Sequence, residues 1–177
     1  MLTAALGCGM LLAVHAQPQV RAPKQMPIAV QRYIAGLADE CKGYGGKPGK
    51  SPALIDLADL NGDGMLDYII DKGAFNCDGA GASAMSNGQS GSDLTVFVGT
   101  ADGHATQAYT ASVYGAELDK TTHPPTLWVA VSGKLCGQKN ADKLPVASLK
   151  GCKRPLAWNA AQRRFDYGPP SQIKPLQ

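Results

Sequence analysis

From residue 53 onward the chain alternates short apolar runs with clusters of Gly, Asn, Asp and Ser. Those runs predict strands near residues 53–58, 67–72, 94–99, 105–113, 126–132, 154–158 and 163–167. Ahead of them the apolar period changes. Val30, Ile34, Leu37 and Cys41 recur at spacings of four, three and four, one face of a helix that Pro27 opens and Gly43 ends. LAWNAAQRRFDY, 156–167, reads as a hairpin, apolar on each arm around Asn159-Ala160-Ala161. NCDGAGASAMSNGQSGSD, 76–93, reads as a long loop of the kind that is functional or mobile. The expected fold is α+β and mostly β: an antiparallel meander sheet with one N-terminal helix, whose apolar face lies on the sheet.

The ends read differently. Residues 1–16, MLTAALGCGMLLAVHA, contain no charge, and their apolar run falls short of the ~20 residues that span a bilayer. Val14-His15-Ala16 suits a signal-peptidase site, so the stretch is expected to be a signal peptide, although no Lys or Arg precedes it. A lipoprotein reading through Cys8 is poor, because the apolar run before it is too short. Residues 17–26 form a flexible leader, 27–168 a single disulfide-stabilised β-rich domain, and 169–177 a frayed tail marked by Pro169, Pro170 and Pro175. The expected location is periplasmic or secreted.

Export changes how the cysteines are read. Beyond Cys8 there remain Cys41, Cys77, Cys136 and Cys152, which imply two disulfides with three possible connectivities. Cys41–Cys77 with Cys136–Cys152 is favoured, because each pair flanks one sequence block. No CxxC occurs to suggest a metal site. The net charge of +3 hides an asymmetry: residues 51–130 carry ten acids and two bases, residues 131–177 nine bases and two acids. The blocks either neutralise each other across one fold or leave a face for an acidic partner. Lys134, Lys139, Lys143, Lys150, Lys153 and Arg154 lack the interleaved aromatics of a nucleic-acid surface.

One stretch carries a strong chemical pattern. In ADLNGDGMLDYII, Asp59, Asn61 and Asp63 sit at alternate positions of a tight loop, which converges their oxygens. Gly64 permits the turn that aims the Met65 carbonyl inward, and Asp67 closes the shell. Hard oxygen donors in this number suit Ca2+. An EF-hand would need Glu where Ile70 stands, and a helix where Tyr68-Ile69-Ile70 reads as strand. The competing reading is a plain turn, since Asn61-Gly62 and Asp63-Gly64 are both hairpin dipeptides. That explains the glycines but not Asp59 and Asp67. GYGGKPGKS, 43–51, fails as a phosphate loop, because the first glycine such a loop needs falls on Tyr44.

The loop resembles the calcium loop of FG-GAP/VCBS repeats, and LTVFVGTADGHATQAY, 94–109, is similar to the second half of such a repeat. The resemblance covers about residues 53–113 and implies one four-stranded propeller blade. It implies Asp59, Asn61, Asp63 and Asp67 as side-chain ligands and Met65 as a carbonyl ligand. No second DxNxDG occurs, so the expectation is one blade-like sheet extended by the later strands and the helix, not a propeller.

No GxSxG or HExxH occurs, and His104 and His123 are expected in exposed loops. Trp128 and Trp158, on predicted strands, are expected to pack in the core rather than to stack on sugar. The leading functional expectation is an exported calcium-binding module, monomeric, that binds a protein or envelope polymer, with no nucleic-acid partner and no transmembrane segment. A periplasmic inhibitor or immunity-like protein using the 76–93 loop is the first alternative. An envelope or polysaccharide hydrolase is the second.

Overall fold

The structure is a computed structural model that describes residues 25–49, 54–81 and 84–176. The expected signal peptide 1–16 with Cys8, the leader as far as Lys24, Lys50 and Ser51 of the glycine-rich stretch, and Ser83 lie outside the described residues. The elements are one helix, α1 (Ile28–Gly43), and strands β1 (Lys47–Pro48), β2 (Leu54–Ala58), β3 (Asp67–Asp71), β4 (Cys77–Asp78), β5 (Ser92–Gly99), β6 (Ala105–Val113), β7 (Gly115–Asp119), β8 (Thr126–Ser132), β9 (Gly151–Asn159), β10 (Arg164–Tyr167) and β11 (Lys174–Pro175).

The strands form an antiparallel meander. β2, β3, β5 and β6 pair in that order, as do β7, β8, β9 and β10. The two halves share one bent course of chain. β6 pairs with β5 as far as Val113, then the Tyr114 amide donates to the Ala130 carbonyl at 2.8 Å and Gly115 begins the pairing with β8. A strand that changes partner along its length turns the sheet on itself. The result is a mostly-β domain with one N-terminal helix and a curled, partly closed sheet, consistent at the fold level with a propeller or repeat-like module.

β3 has apolar neighbours on both faces, which explains its run Tyr68-Ile69-Ile70. Tyr68 and Ile70 join Val30, Leu37, Cys41, Phe75, Met85 and Phe97 under the helix. Ile69 joins Leu94, Val96, Val98, Leu127, Val129, Val131, Leu156 and Phe165 inside the curl. The helical face predicted from sequence is thus the packed one, with Val30, Leu37 and Cys41 buried and Ile34 half-buried. Tyr33 also reaches the sheet, where its hydroxyl lies 2.9 Å from Thr95 Oγ1.

Cys41–Cys77 ties the helix end to β4, and Cys136–Cys152 ties the turn after β8 to β9. The 76–93 stretch is less free than its composition suggests. β4 pairs with β1, β5 already begins at Ser92, and Met85, 5% exposed, is packed under the helix. The sequence reading of a frayed tail is likewise corrected: β11 pairs with β9, Lys174 opposite Lys153, beside the stretch of β9 that pairs with β10. The sequence pattern does not indicate β7, because GAELD has neither an apolar run nor β-branched residues.

Gly99, at the end of β5, shows how closely the strands approach. A Cβ there would lie 2.3 Å from the Leu66 carbonyl oxygen. At Gly115 a Cβ would meet nothing within 4 Å. Gly99→Ala should therefore lower stability by about 1–3 kcal/mol, whereas Gly115→Ala stays within about 0.5 kcal/mol of the parent. Urea denaturation of the two variants checks this contrast.

Candidate functional site

The β2–β3 connection contains the predicted ligands, and its shape follows from two glycines. Gly62 and Gly64 adopt φ of +76° and +83°, the left-handed region that side chains disfavour. Two such residues close together wrap the backbone around Asp59. Its Oδ1 accepts from the Gly62 and Asp63 amides at 2.7 and 3.1 Å, and its Oδ2 from the Gly64 amide at 2.8 Å. Asp59 is 8% exposed, so its charge is held by amides rather than water.

Asn61 and Asp63 lie further out. Asn61 Oδ1 accepts from the Asp63 amide at 3.0 Å, and Asn61 Nδ2 donates to Asp63 Oδ2 at 2.9 Å. Asp63 Oδ1 accepts from the Met65 amide at 2.9 Å. Asp67 begins β3 and is fully buried. Its Oδ2 accepts from the Leu60 amide at 2.8 Å and its Oδ1 from the Gly99 amide at 3.1 Å. One carboxylate thereby joins the loop to the end of β5.

Burial pushes the Asp67 carboxyl up to about 7, against the two amides that favour its charged form; nearby Asp63 and Asp59 add to the rise. Among the described residues, no basic side chain lies within 4 Å of Asp59, Asp63 or Asp67. Also among the described residues, no three His, Cys, Asp or Glu side chains converge as a ready-made metal cage. The loop brings Asp59, Asn61 and Asp63 together. Asp59 and Asp67, however, direct oxygens at backbone amides, leaving their remaining lone pairs for any cation. What the residues offer a cation is donor chemistry: hard carboxylate and amide oxygens of the kind that suit Ca2+, with no cationic side chain within 4 Å among the described residues.

Elsewhere the molecule has shallow grooves. The unpaired side of β6 faces β10 across a groove of about 420 Å³, where the Tyr109 hydroxyl donates to that of Tyr167 at 3.1 Å. Burial raises the Tyr109 phenol above its usual range. Trp158, half-buried, packs against the core on Phe165 with ring centres 5.1 Å apart. Trp128 corrects the sequence reading, because it is only half-buried, on the strand face opposite buried Leu127 and Val129, and Lys174 Nζ lies 3.7 Å from its ring centre. His104 and His123 are exposed.

The partners of Asp67 were invisible in the sequence because both are backbone amides. The one legible trace is Gly99, a strand-end glycine of the kind that marks close backbone approach. Asp67→Asn turns an amide group toward two N–H donors. It should lower stability by about 1–3 kcal/mol, while Asp63→Asn, at the exposed edge of the loop, changes it by about 0.5 kcal/mol or less. Chemical denaturation in chelator, which removes any contribution from cations, measures both.

No protein-family model matches this sequence, and neither a curated protein nor a solved structure matches it. Among the described residues, no helix is long and apolar enough to cross a membrane.

Proposed function

We propose that this chain is an exported calcium-binding module of the FG-GAP/VCBS repeat kind, acting by binding a protein or envelope polymer. Calcium is held at the β2–β3 connection by Asp59, Asn61, Asp63 and Asp67 and by the Met65 carbonyl. The observation that carries this reading is electrostatic. Three carboxylates on nine residues have no cationic side chain within 4 Å among the described residues, and one of them is wholly removed from water. Like charges gathered in this way raise one another's proton affinity, and a divalent ion relieves that repulsion more fully than a proton.

Gly62 and Gly64 supply the left-handed turns of the loop, so in this reading the cation contributes charge balance rather than the turn itself. Calcium modules outside the cell bind at about 0.1–1 mM. At the tight end of that range, with about 1 mM calcium, the folded state gains about 1.4 kcal/mol.

Calcium should raise the melting temperature by about 3–6 °C, and chelator should reverse the rise. Asp59→Ala and Asp63→Ala each abolish the response, whatever they do to baseline stability; a response that persists in both variants removes the ligand assignment. Calcium-dependent capture of a partner from the native envelope, with Asp63→Ala as control, tests the binding role.

A further inference from the structure

The segment after β8 has a fixed shape although most of it is exposed. It consists of three 3-10 turns, Gly133–Cys136, Ala141–Lys143 and Val146–Ser148. Cys136–Cys152 closes it. The Gly133 amide donates to the Lys150 carbonyl at 2.9 Å, and the Gln138 side chain spans the interior, accepting from the Lys150 amide at 2.8 Å and donating to the Ser148 carbonyl at 3.0 Å. This frame holds apolar side chains in water. Val146, Tyr114 and Leu176, 52%, 47% and 44% exposed, line one groove of about 270 Å³ with Leu149. Leu135 and Leu144, also exposed, lie on the same segment.

Its charge is one-sided. Lys134, Lys139, Lys143 and Lys150 are all exposed, and among the described residues none has a carboxylate oxygen within 4 Å. Asp142 is the sole acid in the sequence between Gly133 and Arg163. Cation and apolar side chain alternate as neighbours at Lys134-Leu135, Lys143-Leu144 and Leu149-Lys150.

That combination selects the partner. All four cations are lysines, compact charges on flexible stems; a shaped carboxylate partner would favour the guanidinium fork of arginine. A fluid layer of anionic headgroups asks only for charge at its surface and apolar groups beneath, with an amphipathic ring such as that of Tyr114 at the boundary. We propose that this disulfide-closed surface docks on an anionic phospholipid bilayer, with Leu144, Val146 and Leu176 entering the headgroup layer and the four lysines above them. The surface is separate from the cation loop, and its test is run in chelator, so that its failure leaves the calcium reading untouched.

Co-sedimentation of the full chain with vesicles of phosphatidylcholine, alone or mixed with phosphatidylglycerol, tests the proposal. Binding is expected on the mixed vesicles and not on phosphatidylcholine alone, with loss at high salt. Each lysine near such a surface contributes about fivefold, so changing Lys134, Lys139, Lys143 and Lys150 to Gln should lower partitioning by about two to three orders of magnitude. Should that variant melt early, the pair Lys143→Gln and Lys150→Gln should still lose about 25-fold. Leu144→Ser with Val146→Ser should weaken binding several-fold at unchanged charge. Equal binding to both vesicle types overturns the proposal, as does absence of binding at low salt. Undiminished binding by the lysine variants also overturns it, since apolar residues 1–16, shared with the parent, would then be the anchor. Capture by immobilised polyglutamate without vesicle binding overturns it in favour of an acidic protein surface.

Discussion

β3 has no free face, and the rest of the fold is arranged around that constraint. Its odd-numbered residues look into the curl and its even-numbered residues look under the helix, so the helix, the β2-β3-β5-β6 sheet and the later strands pack as three layers through five residues. Such a strand reads as a continuous apolar run, not as the alternation of a sheet with one wet side. Asp67 is the exception within it. It is tolerated because two backbone amides, from the preceding loop and from the end of β5, take up both its oxygens. A buried carboxylate without such donors would be costly; with them it fixes where the loop ends and where β5 must stop.

The curl follows from a second constraint. β6 and β7 are one course of chain, and a strand can pair on both sides only where neighbours exist. β5 occupies one edge as far as Val113, and β8 the other edge from Tyr114 onward. The unpaired edge of β6 is therefore left opposite β10, where the tyrosine pair Tyr109 and Tyr167 stands in place of a ladder. Strand twist brings such edges together without joining them. The groove between them is a consequence of partial closure.

Local pattern carried much of this fold, and long-range pairing carried the rest. The helix and the long strands were legible because their periods and turn residues act within a few positions. The loop at 59–67 was legible because its glycines and acids fall at chemically meaningful spacings. The position of Trp128 is in fact legible in the alternation of β8, because it shares its face with Thr126, Ala130 and Ser132 while Leu127, Val129 and Val131 take the buried one. Met85 was hidden in a glycine- and serine-rich stretch whose composition argued for freedom, yet one methionine under the helix helps anchor it. The tail was misjudged for the same reason, because its prolines end local structure without preventing a pairing with β9.

The three carboxylates of the loop occupy three different environments, and that difference bears on what a cation would do there. Asp59 has its charge spread over three amides, Asp67 has two amides and no water, and Asp63 is solvated. Backbone amides orient all three groups, Asp63 through the single Met65 amide, and the left-handed turns at Gly62 and Gly64 fix the backbone between them. Orienting ligands in advance lowers the entropy lost on binding. It also spends lone pairs that a fully dedicated cage would keep for the ion. Lone pairs committed in this way argue for modest rather than tight affinity in the calcium reading proposed above. For the calcium module proposed above, that balance would suit a roughly millimolar ion concentration, with the cation adjusting the charge of a hairpin whose turns the glycines set.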